Sequence, residues 1–110
     1  MVQLTSKQRA FLKSLAMKED AILQLGKTGV TPEFTASLDE ALAARELVKI
    51  GVQKTFAEDE DLQEAAQTLA ARTGSCVVQT IGRKIVFYRP GDEKHRKIEL
   101  PRARKTSGAF

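Results

Sequence analysis

Most of the chemical potential of this sequence lies in four consecutive residues: Gly26, Lys27, Thr28 and Gly29. Lysine supplies a mobile cation and threonine a hydroxyl, while the glycines lack the Cβ that keeps another molecule away from the backbone. Thr31 follows as an N-cap, and Pro32 brings the fixed φ suited to a first helical position. A helix started there points unpaired N–H groups and its partly positive end back at the loop. Such a constellation suits a phosphate, with N–H groups near Glu33 and Phe34 completing the site. A plain strand-to-helix turn with an exposed lysine accounts for the same residues.

Other chemistries lack their parts. A nucleotide-binding P-loop needs a glycine five residues before Gly26, where the chain has Ala21, so a nucleoside-triphosphatase is not expected. His95 is the only histidine and Cys76 the only cysteine. Neither a nucleophile–base pair nor a metal-ligand cluster can be assembled from them. The carboxylates of Glu58, Asp59, Glu60 and Asp61 stand where a helix begins, and capping explains them better than acid–base catalysis. No enzyme activity, metal or cofactor is therefore expected. Phosphate-binding cations are plentiful at the other end of the chain. Met1 to Gly82 holds nine Lys/Arg against eleven Asp/Glu, a balance of −2, whereas Arg83 to Phe110 holds nine against three, a balance of +6. That asymmetry points to a polyanionic partner for the C-terminal quarter, with Arg83, Lys84 and Arg89 the cations nearest the regular structure.

Periodicity supplies the elements that must position these groups. Helical spacing runs from about Thr5 to Met17, with Phe11, Leu12, Leu15 and Ala16 as its apolar stripe and Thr5 and Gln8 at capping-box spacing. Lys7, Arg9 and Lys13 lie off that stripe, in solvent or against a partner, with solvent the default for each. Ala21 to Leu25 reads as a strand with Gln24 on its outer side. Phe34, Leu38, Ala41 and Leu42 line a second helix, whose stripe the stem of Arg45 extends. Glu46 to Gln53 is a second strand, with Val48, Ile50 and Val52 inward and Lys49 and Gln53 outward. Strand, helix and strand at this spacing form a right-handed unit with parallel strands. Leu62, Ala65, Ala66, Leu69 and Ala70 line a third helix, entered through Asp61 and Glu64 at capping-box spacing and stopped at Gly74. Ser75 to Ile81 and Arg83 to Arg89 form a hairpin about Gly82. Cys76 and Val78 share one face there, and Gln79 is expected on the other. The mixed sheet and helices make an α/β fold.

With 110 residues, 42% of them hydrophobic and 29% charged, the chain suits one soluble domain. A single cysteine allows no internal disulfide, and no apolar stretch reaches membrane-spanning length. The first residues, MVQLTSKQRAFLK, do not form a secretory signal, so a cytoplasmic location is expected.

Five segments in order, LTSKQRAFLKSLA, LGKTGVT, ELVKIGV, TGSCVVQTIGRKIVFYRP and KIELPR, resemble the YhbY family. This is the small bacterial stand-alone form of the CRM domain (chloroplast RNA splicing and ribosome maturation). The resemblance runs from about Leu4 to Arg102. It implies an α-β-α-β-α-β-β order in a two-layer fold with a mixed four-stranded sheet and three helices. That fold is similar to the C-terminal domain of bacterial translation initiation factor three with an extra N-terminal helix. It also implies RNA binding without catalysis and association with precursors of the large ribosomal subunit. The family's glycine-bounded loop falls on Gly26, Lys27, Thr28 and Gly29. Residues 1–102 then form the RNA-binding domain, with Ile98 and Leu100 in a short extended piece, and residues 103–110 a basic tail. The expected partner is ribosomal RNA or the precursor subunit, met by a monomer, with no membrane or small-molecule substrate. A factor that docks on ribosomal proteins without reading RNA is the alternative, and a small phosphohydrolase using the loop a more distant one.

Overall fold

A computed structural model describes residues 4–26, 29–54 and 62–91. Lys27, Thr28, the acidic run with its Asp61 cap, His95, Ile98, Leu100 and the 103–110 tail lie outside the described residues. The described elements follow the order read from periodicity. They are α1 (Ser6–Ala16), β1 (Leu23–Leu25), α2 (Pro32–Arg45), β2 (Leu47–Val52), α3 (Leu62–Thr73), β3 (Cys76–Ile81) and β4 (Lys84–Tyr88).

Local chemistry sets the helix ends. Thr5 Oγ1 accepts from the Gln8 N–H while Gln8 Oε1 accepts from the Thr5 N–H, each at 3.1 Å, which completes the capping box of α1. Thr31 caps α2 by accepting the Phe34 N–H at 3.0 Å, with Pro32 behind it. At the end of α3, Gly74 takes φ +69° and the Ser75 N–H reaches back to the Ala70 carbonyl at 3.0 Å.

The strands form one sheet in the order β1-β2-β4-β3. β1 and β2 are parallel, with Leu23 opposite Ile50, and α2 makes the crossover between them. β4 is antiparallel to both β2 and β3, so the sheet is mixed. On one face, Leu38 and Leu42 of α2 and Ala66, Leu69 and Ala70 of α3 pack over Val48, Ile50, Ile85 and Phe87. These are the two layers of the main body. The extra N-terminal helix α1 sets Leu12 and Ala16 against the other face, over Leu47, Cys76, Val78, Val86 and Tyr88. That second cover explains why β4 is apolar on both sides. Phe87 and Tyr88 point opposite ways, yet both are fully buried. Burial of a side chain such as Phe87 contributes about 2–3 kcal/mol.

Two expectations about side chains are corrected. Gln79 does not lie opposite Cys76 and Val78. A bulge between Val77 and Gln79 shifts the register, so that Gln79 pairs with Val86, a member of the α1-side cluster. Residues directly opposite in an antiparallel pair share a face, which places Gln79 on the α1 side. Nor is Arg9 a solvated cation. Its guanidinium NH1 donates to the carbonyls of Val77 and Val78, at 2.6 and 2.9 Å, and so satisfies the backbone where the bulge disturbs the ladder.

Candidate functional site

Parallel β1 and β2 end on the same side of the molecule, and the antiparallel β4 begins there. The Gln53 N–H donates to the Leu25 carbonyl at 2.9 Å, and the Val52 N–H to the Arg83 carbonyl at 2.7 Å. Gly51 is paired with Lys84 across β2 and β4. The residues after β1, the residues after β2 and the Gly82–Arg83 turn are therefore neighbours. Gly26 opens the loop after β1, and a Cβ placed on it would lie 3.2 Å from Gln53 Oε1. The Gln53 side chain thus rests against the start of the loop. At its other end Gly29 has φ 75°, a conformation costly for other residues, and its N–H donates to the Gly26 carbonyl at 2.9 Å. The two glycines are tied together, as a short loop between strand and helix requires.

Beside this junction runs an open groove of about 610 Å³, whose lining includes Gln24, Gly51, Gln53, Lys54, Arg83 and Lys84. Three of the lining residues are cations and none is a carboxylate. A concave surface with charge of one sign draws polyanions toward it. Arg83 and Lys84 are exposed, and neither makes an ion pair among the described residues. Their donors face solvent.

The residues expected to act together are thus partly united. Gly26 and Gly29 sit at the same sheet end as Arg83 and Lys84, whereas Lys27 and Thr28 lie outside the described residues. Arg89 is at the opposite end of β4, five residues from Lys84 and so roughly 17 Å away. Its NH1 donates to Asp39 Oδ1 at 2.6 Å and to the Thr73 carbonyl at 2.7 Å, and its NH2 to the Asp39 carbonyl at 3.1 Å. The Arg89 fork fastens α2 to the end of α3. The Phe34 N–H, expected to complete a phosphate site, is taken by its own N-cap Thr31. Sequence reasoning missed Gln24, Gly51 and Gln53 as lining residues. Their signal was present: polar or small residues at outward positions on adjacent parallel strands, with Gln24 in register with Gly51.

Among the described residues no group of three or more His, Cys, Asp or Glu is placed to hold a metal ion. Cys76 is buried, and its Sγ donates to the Tyr88 carbonyl at 3.5 Å. Burial pushes its thiol pKa up, against the smaller opposing effect of the Arg9 charge. It is a protonated packing residue. No described helix is long and apolar enough to cross a membrane.

The chain is similar to known proteins. The chain is 42% identical to "Probable RNA-binding protein YqeI" of Bacillus subtilis over 98 residues, covering 89% of this chain and 99% of the relative. It is 38% identical to "RNA-binding protein" of Haemophilus influenzae over 102 residues, covering 93% and 99%. The solution structure of the hypothetical protein SAV1595 from Staphylococcus aureus superposes with a TM-score of 0.74 at 40% identity. That match covers 90% of this chain and all of the other. The family described as CRS1 / YhbY (CRM) domain matches residues 4–89, from the lead into α1 to the end of β4. Since that match takes in all three helices, the whole sheet and the glycine-bounded loop, the chain belongs to the CRS1/YhbY (CRM) domain family.

Proposed function

We propose that this protein binds RNA at the sheet end where the glycine-bounded loop meets the β3–β4 turn, and that its target is ribosomal RNA in precursors of the large subunit. The observation that carries the proposal is the groove with three cations and no carboxylate beside Gly26. RNA backbone is the polyanion such a surface suits, and the names of the relatives favour RNA over other polyanions. In this reading Gly26 and Gly29 let the loop backbone approach a phosphate, Lys27 neutralises it and Thr28 offers a hydroxyl. Arg83 and Lys84 continue the contact across the turn, and the basic C-terminal region extends it. Arg89, held by Asp39 and Thr73, serves the fold. The protein acts as a cytoplasmic binding factor, a monomer with no catalytic step.

Titration of wild type and Lys27→Ala with a fragment of large-subunit ribosomal RNA, at several salt concentrations, tests the loop. Loss of one phosphate contact lowers the salt slope by about one unit or slightly less and weakens all RNAs alike. Unchanged slope and affinity contradict a phosphate contact by Lys27. Absence of binding to the RNA fragment at every salt concentration favours docking on a protein instead.

A further inference from the structure

Resting on the RNA-binding reading, the register of the sheet assigns a more particular role to one row of residues. Gln24 on β1 is opposite Gly51 on β2, Gly51 is opposite Lys84 on β4, and Lys84 is opposite Ile81 on β3. The row lies on the face that α1 covers, but outside the cluster that α1 buries. Gln24 and Lys84 are exposed, and Ile81 is 60% exposed. Gly51, between them, has no side chain, and the Gln24 carboxamide occupies the hollow it leaves. A Cβ on Gly51 would lie 2.6 Å from Gln24 Nε2 and 2.9 Å from Gln24 Oε1. The amide makes no hydrogen bond to any described residue.

We propose that this row is a seat for an unpaired RNA base, adenine by preference, whose edge is read by the exposed Gln24 carboxamide where it rests on Gly51. A phosphate calls only for donors. A carboxamide sets an acceptor beside donors, the complement of the adjacent donor and acceptor on an adenine edge. Lys84 and the neighbouring Arg83 stand beside the hollow to meet the flanking phosphates, with no carboxylate in the groove to repel them. An unpaired strand fits better than a duplex, because A-form RNA keeps the N6 and N7 edge of adenine in a deep, narrow major groove that side chains do not reach. Recognition is through the edge and not by ring stacking. The aromatic residues of β4, Phe87 and Tyr88, are fully buried, and the exposed apolar member of the row is Ile81.

The test is a set of fluorescence titrations at one salt concentration with oligoadenylate, oligouridylate and a duplex of the two. The proteins are wild type, Gln24→Ala, Gly51→Val and Lys84→Ala. Wild type is expected to favour oligoadenylate over oligouridylate by about tenfold, as one good two-point base contact allows, and to bind the duplex more weakly than oligoadenylate. Gln24→Ala brings oligoadenylate down to the level of oligouridylate and leaves the latter within about twofold. Gly51→Val does the same by displacing the Gln24 carboxamide from its place over Gly51. Its new methyl groups meet the mobile end of Gln24, so an unchanged thermal melt is expected. Lys84→Ala weakens both oligonucleotides equally. An adenylate-to-uridylate ratio unchanged in Gln24→Ala, or equal binding of all three RNAs by wild type, overturns the base seat while leaving RNA binding in place. Failure of wild type to bind any RNA removes both readings.

Discussion

Glu46 is held in a conformation that its residue type disfavours. It has φ 68°, is almost fully buried and lies between α2 and β2. Its N–H donates to the Leu42 carbonyl at 2.8 Å, its carbonyl accepts the Arg89 N–H at 2.9 Å, and its Oε2 accepts the Gly91 N–H at 3.1 Å. These bonds fix the tight passage from helix to strand against the cost of a positive φ on a residue with a side chain, about 1–3 kcal/mol. Glu46→Ala and Glu46→Gly both lose the carboxylate, but only glycine relieves the backbone. Urea unfolding should therefore find the glycine variant the more stable by about 1 kcal/mol. Equal stabilities contradict the strain. Cys76 gives a second prediction at this scale. Its raised pKa means that the folded state holds the thiol proton more tightly than the unfolded chain does. The associated stability is complete below the ordinary thiol range and is lost as pH rises through the folded value. Cys76→Ala should flatten the alkaline limb of a stability profile, and a thiol reagent should label native Cys76 far more slowly than unfolded protein. Labelling at equal rates contradicts a buried, protonated thiol. The strain at Glu46 was not legible in the sequence, where it reads as an ordinary junction residue, whereas the burial of Cys76 was, from its place among apolar strand residues.

Between elements, two arginines do work that their places in the sequence conceal. Arg9 binds the carbonyls of the β3 bulge, and Arg89 ties Asp39 of α2 to the last carbonyl of α3. Hydrogen bonds from a charged donor to buried or half-buried carbonyls contribute about 1–3 kcal/mol, with the exposed Asp39 contact at the weak end. Arg9→Ala and Arg89→Ala should each lower stability by about 1–2 kcal/mol in chemical denaturation, and Arg89→Ala should leave the salt slope of RNA binding unchanged. A lowered slope for Arg89→Ala with unaltered stability returns that residue to the RNA surface. The elements themselves were legible because their signals are local: the Thr5 and Thr31 caps, the stop at Gly74 and the stripes of α1 and α3. The bulge was not, since Val77-Val78-Gln79-Thr80 reads as a regular strand until β4 sets the register. Arg9 followed it into error. A residue off the stripe of its own helix still finds a partner when a neighbouring strand leaves carbonyls unpaired.

Across the whole molecule, topology joins what the sequence keeps apart. More than fifty residues separate Gly29 from Arg83, yet parallel β1 and β2 and the return of β4 bring their segments to one end of the sheet. The loop and the basic end were each legible as pieces, the first from its glycines and the second from the charge balance. Their meeting depends on strand order, which periodicity does not specify, and so do the amides of Gln24 and Gln53 between them. The same order carries Arg89 to the far end of β4, although charge alone would group it with Arg83 and Lys84. The proposed RNA path lies along the Arg83 and Lys84 end of the sheet. Its most direct measurement is the affinity of wild type and of the Arg83→Ala, Lys84→Ala double variant for one ribosomal RNA fragment across a range of salt, with thermal melts of both. The expected result is a straight, steep fall of log affinity with log salt, a slope shallower by about one to two units in the double variant, and unchanged melting. A double variant that matches wild type in slope and affinity while remaining folded contradicts it.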